Sequence, residues 1–180
     1  MALAHTLRTY IATGDHRLMR RVNRWRAPRW VRLASIWATR LGDGWLWYSL
    51  APFILLFGGD LRYRALATAS LAALAGILVF KSVKHVSRRP RPCEQEPHCW
   101  ATILPPDQFS FPSGHTITAF GVAVSLGMLY PHAEPGLLFA AACIGASRVL
   151  LGMHFLSDVL AGALFGAGIG YASFHLFTIF

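Results

Sequence analysis

Long stretches without a charged side chain constrain this chain more than any other feature. Residues 65–80, 108–133 and 159–180 contain no Asp, Glu, Lys or Arg and are rich in apolar residues. Only 14% of all residues are charged, whereas a soluble globular domain carries about 25%. A stretch of about 20 apolar residues is long enough to cross a bilayer as a helix. The sequence therefore predicts an all-α integral membrane protein, and it excludes a soluble or a disordered chain.

Polar interruptions divide the apolar sequence into about five predicted transmembrane helices within a single domain, residues 1–180. Gly42-Asp43-Gly44 interrupts the first of them, and a loop rich in proline and charge follows the second. Gly162, Gly166 and Gly170 recur every four residues and predict a small face on the last helix, against which a neighbour can pack closely. The crossings are expected at about residues 36–58, 65–84, 113–130, 136–152 and 155–177, so that residues 34–178 form one helical bundle.

The N-terminal segment, residues 1–33, has the pattern of an amphipathic helix. Over residues 15–26, apolar side chains recur at helical spacing on one face, and arginines occupy the other face. A helix of this kind binds at the headgroup level of a membrane. The alternative is a basic tail in solution, which the periodicity and the tryptophan do not favour. The apolar face comprises Leu18, Met19, Val22 and Trp25, and the basic face comprises Arg17, Arg20, Arg21 and Arg24.

The excess of positive charge indicates which partners to expect. The chain has 17 basic and 8 acidic side chains, which gives a net charge of +9. A strongly basic protein is often a nucleic-acid binder, but here the basic residues flank apolar segments and form no stripe interleaved with exposed aromatic side chains. We therefore expect membrane lipids, anionic ones above all, as partners and no nucleic acid.

Alternating crossings would bring the polar ends of four predicted helices to one face of the membrane. The second and fourth crossings end at that face, and the third and fifth begin there. Ionisable residues at such positions are costly, and they are candidates for function by default. The side chains gathered in this way are Lys84, Arg91, Ser113, His115, Arg148, His154 and Asp158.

Part of this set predicts a phosphate-binding site. Lys84, Arg91 and Arg148 are cations, and the planar guanidinium groups match the oxygen atoms of a phosphate. Ser113-Gly114-His115 has the pattern of a helix start, whose free backbone N–H groups attract an anion.

The other part of the set predicts a nucleophile. His154 and Asp158 are four residues apart and share one face of a helix, so the carboxylate can fix one imidazole nitrogen and leave the other free to attack. His115 belongs to a different helix and is suited to protonate the leaving oxygen. Each pattern alone is common in proteins without such chemistry, but all of them meet at one membrane face.

The order of these residues resembles the three-part signature of the type 2 phosphatidic acid phosphatase (PAP2) superfamily, which also includes bacterial acid phosphatases and vanadium haloperoxidases. The resemblance covers roughly residues 81–170. The three parts are Lys84-x6-Arg91-Pro92, Pro112-Ser113-Gly114-His115 and Ser147-Arg148-x5-His154-x3-Asp158.

This resemblance implies an all-helical bundle and a phosphohistidine intermediate on His154. In that scheme, Asp158 orients His154, and His115 acts first as an acid and later as a base. The phosphate-binding residues are then Lys84, Arg91, Ser113, Gly114 and Arg148.

Neither a metal nor another cofactor is expected. Mg²⁺ would need carboxylates around the phosphate, but Asp158 is already committed to His154. The remaining acids near this face, Glu94, Glu96 and Asp107, belong to the loop. The three cations of the predicted site already neutralise a phosphate.

The resemblance to short bacterial lipid phosphatases leaves several substrates open. Undecaprenyl diphosphate is the first expectation, and phosphatidylglycerophosphate, phosphatidic acid and lipid A phosphates are alternatives. Arg88 and Arg89, next to the first motif, are candidate contacts for a second phosphate. Two rival functions are a vanadium haloperoxidase with vanadate on His154 and a non-catalytic lipid-binding membrane protein.

The membrane side of the site is predicted in two conflicting ways. The N-terminal arginines lie on the same side as the site, and the positive-inside rule places them in the cytoplasm. The family resemblance favours the periplasmic face of a bacterial inner membrane, which we take as the expectation. Cys93 and Cys99 would suit a disulfide in that oxidising compartment, although their spacing is equally compatible with two free thiols.

Overall fold

Helices account for nearly all of the regular structure in the computed structural model, which describes residues 2–95 and 107–179. Within these ranges no β-strand occurs, and the all-α prediction is confirmed. Cys99 and Glu96 lie outside the described residues. The helices are α1 (Ala2–Arg24), α2 (Arg29–Arg40), α3 (Leu46–Phe57), α4 (Arg62–Ser87), α5 (Pro92–Gln95), α6 (Gly114–Leu129), α7 (Glu134–Leu150) and α8 (Leu156–Ile179), with a π-helical segment at Leu41–Trp45 and a 3-10 turn at Gly59–Leu61.

The first half of the chain differs from the expected boundaries. The N-terminal helix covers Ala2–Arg24 rather than residues 15–26. It cannot continue to Pro28, because Ala27, which precedes the proline, avoids the helical conformation. The next helix begins at Arg29, so the expected boundary at residues 33 and 34 falls inside α2. Gly44 has a φ of 116° within the π-helical segment, which separates α2 from α3. The first predicted crossing is therefore interrupted by a kink.

Helix α6 is the buried centre of the bundle and packs against α4, α7 and α8. Its contact with α8 is close because glycines of α8 face the backbone of α6. A side chain at Gly166 would overlap the carbonyl of Ile117, and one at Gly162 would crowd the carbonyl of Ser113. The predicted small face of the last helix is therefore confirmed, and it brings the start of α6 beside the start of α8.

Among the residues that the structure describes, two helices are both long and apolar enough to cross a membrane, and these are the segments Gly59–Ser87 and Leu156–Phe177. Helix α6 is also apolar but is 16 residues long. Large apolar side chains face outward on several helices, among them Leu78, Phe139 and Leu164. An outward apolar surface of this extent would be unstable in water and suits a lipid environment.

The helix ends place the predicted residues at one end of the bundle. Helix α4 ends at Ser87, where Arg88 takes a left-handed conformation with a φ of 46°. Helix α7 ends at Leu150, and α6 and α8 begin at the same end as these two termini. The backbone N–H of Ser113 donates to the carbonyl of Asp158 over 3.1 Å, which ties the two helix starts together.

Candidate functional site

A cavity of about 300 Å³ opens at this end of the bundle. Six of the predicted residues line it: Lys84, Arg91, Gly114, His115, Arg148 and His154. Ser113 and Asp158 are buried behind the wall of the cavity. Apolar side chains from α3 and α4 complete the lining, so that a charged half faces an apolar half.

His154 lies in the connection between α7 and α8 and is 2% exposed. Its Nε2 is 3.3 Å from Nη1 of Arg91. Because a guanidinium can only donate, Nε2 is the acceptor and carries the lone pair. The proton then sits on Nδ1, which is 3.7 Å from Oδ2 of Asp158. Burial, together with the positive charges of Arg148 and Arg91, holds the pKa of His154 well below its usual value. The imidazole is therefore neutral, and its unprotonated Nε2, which accepts from Arg91, carries the lone pair that can attack a phosphate.

Asp158 is held on both oxygen atoms at the start of α8. Its Oδ2 accepts from the backbone N–H of Phe155 over 2.8 Å, which is one half of a capping box. Its Oδ1 accepts from Nη1 of Arg89 over 2.7 Å. A carboxylate fixed at two points has a defined orientation toward the neighbouring imidazole.

Arg148 is 2% exposed, and only some of its N–H groups have a hydrogen-bond partner. Nη1 donates to the hydroxyl of Thr39, which α2 supplies. Its Nε and Nη2 are buried and have no hydrogen-bond partner among the described residues. Buried guanidinium donors without a partner are costly, and an anion in the adjoining cavity would satisfy them.

Asp107 bridges the other two cations of the site. Its Oδ2 accepts from Lys84 over 2.6 Å, and its Oδ1 accepts from Arg91 over 2.7 Å. Burial would raise the pKa of Asp107, but the hydrogen bonds from Lys84 and Arg91 outweigh it and lower the pKa. The carboxylate is thus ionised and holds both cationic heads at the cavity.

Ser113 and Gly114, at the start of α6, offer the cavity backbone rather than side-chain groups. The Ser113 hydroxyl accepts from Thr116 over 2.9 Å and does not reach the cavity. Gly114 packs against the ring of Phe80, which a larger residue would crowd. The first N–H groups of a helix lack intrahelical partners, and those of α6 are next to the cavity.

His115 is paired with a carboxylate that sequence reasoning missed. Its Nε2 is 2.6 Å from Oδ1 of Asp43, in the π-helical segment between α2 and α3. From the sequence, Asp43 is expected only to interrupt the first crossing. An acidic residue between two glycines in an apolar segment was the available signal, because ionisable residues at membrane depth are usually functional.

Arg88 and Arg89, the candidate contacts for a second phosphate, do not line the cavity. Nε of Arg88 donates to the carbonyl of His85 at the end of α4. Arg89 pairs with Asp15 of α1 and with Asp158. Both arginines therefore have protein partners away from the predicted phosphate position.

Comparison with known proteins places this architecture in a family. The profile of the PAP2 superfamily matches residues 64–179. The chain is 30% identical over 163 residues to a lipid A 1-phosphatase of Rhizobium johnstonii, with 79% of this chain and 66% of that protein covered. It is 31% identical over 125 residues to the undecaprenyl-diphosphatase BcrC of Bacillus subtilis, with 68% and 63% covered. The chain thus spans slightly less than two thirds of either relative.

Solved structures have the same fold. Aquifex aeolicus LpxE superposes with a TM-score of 0.72 at 29% identity, over 87% of this chain and 92% of that one. A transmembrane PAP2-type phosphatidylglycerolphosphate phosphatase from Bacillus subtilis superposes with a TM-score of 0.70 at 24% identity, over 91% and 84%. These likenesses confirm the prediction of a helical membrane bundle. With the family profile covering most of its length, the chain belongs to the PAP2 superfamily.

Proposed function

We propose that this protein is a membrane lipid phosphatase that forms a phosphohistidine on His154. The observation that carries the proposal is the pairing of a neutral, buried imidazole with the unsatisfied guanidinium donors of Arg148 at the same cavity. The imidazole offers a lone pair, and the arginine offers donors for the phosphate that the lone pair would attack.

The chemistry proceeds in two steps. In the first, Nε2 of His154 forms a bond to the terminal phosphorus while the bond from that phosphorus to the bridging oxygen of a diphosphate, or to the ester oxygen of a monophosphate, breaks. His115 donates a proton to the departing oxygen, and the phosphoryl group stays on His154. In the second step, His115 removes a proton from a water molecule as the water oxygen forms a bond to phosphorus. The bond from phosphorus to Nε2 of His154 breaks, and inorganic phosphate leaves.

The remaining polar residues have supporting roles in this scheme. Lys84, Arg91 and Arg148 neutralise the phosphate oxygens, and the N–H groups of Gly114 and His115 add the positive end of α6. The N–H of Ser113, a predicted phosphate contact, is already donated to Asp158. Asp158 stabilises the proton on the other nitrogen of His154. Because three cations stabilise the charge, we propose that no metal takes part.

The shape of the cavity supports a lipid as the substrate. A second, apolar cavity of about 160 Å³ runs between α3 and α4 and shares Trp47, Tyr48 and Ala73 with the first. A substrate can therefore place its phosphate in the polar half of the first cavity and its apolar chain in the second cavity, between the two helices.

Among lipids, we propose a polyprenyl diphosphate such as undecaprenyl diphosphate. The apolar cavity, of about 160 Å³, is small and suits part of a single chain better than the several acyl chains of lipid A. The likeness to an undecaprenyl-diphosphatase supports this choice. A lipid A phosphate is the second candidate, because the likeness to a lipid A 1-phosphatase covers more of this chain.

Phosphate release from a panel of lipids tests the function. The purified protein in detergent is expected to release phosphate from undecaprenyl diphosphate faster than from lipid A, phosphatidylglycerophosphate or phosphatidic acid, and to the same extent in EDTA. A different ranking would change the substrate only. Failure of the folded protein to release phosphate from any of them would contradict the function, and a loss in EDTA that Mg²⁺ restores would contradict the metal-free scheme.

We also propose that the site faces the periplasm across a bacterial inner membrane. Cys93 allows a direct test of the membrane side, because it lies beside the site. Its backbone N–H donates to the carbonyl of Gly152, just after the end of α7. In intact cells, after reduction, a membrane-impermeant maleimide should label Cys93 in a variant without Cys99 and Cys143. Labelling only after the inner membrane is permeabilised would place the site in the cytoplasm.

A further inference from the structure

The N-terminal helix is fixed to the catalytic end of the bundle by a buried carboxylate. Asp15 of α1 is 6% exposed although it is charged. Its Oδ1 accepts from the backbone N–H of Ser157 over 3.1 Å, and its Oδ2 accepts from Nη2 of Arg89 over 2.8 Å. A carboxylate at the first turn of α8 also interacts favourably with the helix dipole. Asp15 therefore connects α1 to the start of α8 and to Arg89, which follows α4, and both partners lie near the site.

Arg89 continues this connection to the catalytic carboxylate. Its Nη1 donates to Oδ1 of Asp158 and to the hydroxyl of Ser157, each over 2.7 Å. The guanidinium also lies over the ring of Phe155, with a distance of 4.2 Å to the ring centroid. A contiguous set of charged contacts thus runs from Asp15 through Arg89 to Asp158, and Asp158 faces His154.

The surroundings of Arg89 limit its movement. His16 of α1 packs edge-on against Phe155, with ring centroids 5.2 Å apart. The guanidinium is therefore held by one aromatic face and by two carboxylates. If one carboxylate were removed, the arginine would keep a single anionic partner, Asp158, and would be free to draw that carboxylate out of its present orientation.

We propose that Asp15 and Arg89 are positioning residues for the reaction, so that helix α1 is part of the catalytic machinery and not only a membrane anchor. By sharing Arg89 with Asp158, Asp15 keeps Oδ2 of Asp158 directed at Nδ1 of His154. Outer partners of this kind orient a reactive histidine without touching the substrate. The inference rests on the proposed phosphatase function.

Substitution Asp15→Asn tests this inference through the separation of kcat from KM. We expect kcat to fall about 10- to 100-fold, the range found for outer partners of metal-binding histidines, while KM changes less than about twofold because Asp15 does not line the cavity. The matched control is Asp60→Asn, which removes an exposed carboxylate from the turn before α4 and should leave both constants unchanged.

A double-mutant cycle separates positioning from a general loss of stability. Asp15→Asn, Arg89→Gln and the double variant should share one effect on kcat, because they break the same connection. Independent, additive losses, or a wild-type kcat in Asp15→Asn, would overturn the inference. If Asp15→Asn fails to fold in detergent, Arg89→Lys, which keeps the charge but not the bridging geometry, must reproduce the selective loss of kcat. An inactive wild-type protein would instead contradict the proposed function.

Discussion

Replacement of His154 by alanine is expected to reduce phosphate release by at least about 10⁴-fold, because the variant has no atom to receive the phosphoryl group. The residual rate should reflect only the electrostatic stabilisation by the three cations at the cavity. The measurement is phosphate release from the preferred lipid at saturating concentration, with folding checked by thermal unfolding in the same detergent. KM should change little, because the phosphate-binding cations remain.

A second histidine variant provides the control for His154→Ala. His132 is exposed in the turn between α6 and α7, at the opposite end of α6 from the site. His132→Ala should retain wild-type activity. A His154→Ala protein that is folded and still releases phosphate at more than a few per cent of the wild-type rate would rule out His154 as the nucleophile.

The second large effect is expected for His115→Gln, and it should depend on the leaving group. The alcohol that a lipid monophosphate such as phosphatidic acid releases is a poor leaving group and needs a proton, so hydrolysis of this lipid should slow by about 10² to 10⁴-fold, the usual contribution of a general acid. Undecaprenyl diphosphate releases a lipid phosphate, which departs as an anion, so its hydrolysis should slow less. Phosphorylation of the enzyme by p-nitrophenyl phosphate, whose leaving group departs as an anion, should slow far less. Single-turnover measurements isolate this first step.

Asp43 allows an independent check of the same assignment. Because its carboxylate lies 2.6 Å from Nε2 of His115, Asp43→Asn should reproduce the leaving-group dependence with a smaller loss. Asp60, which lies in the turn before α4, provides the control as Asp60→Asn. Equal slowing of the lipid and the aryl phosphate in His115→Gln would show that His115 does not act as the acid.

Residues whose position follows from helix order could be predicted from the sequence. The ends of α4 and α7 and the starts of α6 and α8 were expected at one face, and the cavity is lined by Lys84, Arg148 and His154 from these ends. The glycine spacing in α8 also predicted the close contact with α6. Both predictions depend on the local spacing of residues and on the alternation of helices across the membrane. Both features can be read from the sequence.

Residues that reach the site through distant contacts could not be found in this way. Asp43, Thr39 and Asp15 belong to the first 45 residues, and their partners follow them by between 72 and 142 positions. No periodicity links such pairs, because the contact depends on how α1 and α2 pack against the bundle. Arg89 shows the same limit of prediction from the sequence. Its charge beside the motif pointed to a phosphate, but the fold supplies two carboxylates that compete for it.

The central claim is that a phosphoryl group passes through His154, and trapping that intermediate tests it most directly. The wild-type protein, mixed with substrate and denatured in alkali within milliseconds, should contain a phosphorylated peptide that is stable in base, labile in acid and modified at His154 by mass spectrometry. The His115→Gln variant, when p-nitrophenyl phosphate is the phosphoryl donor, should accumulate more of the phosphorylated His154. The reason is that hydrolysis of this intermediate, the second step, also needs His115. Turnover without any phosphorylated His154 at any time point, or a phosphoryl group on another residue, would contradict the account.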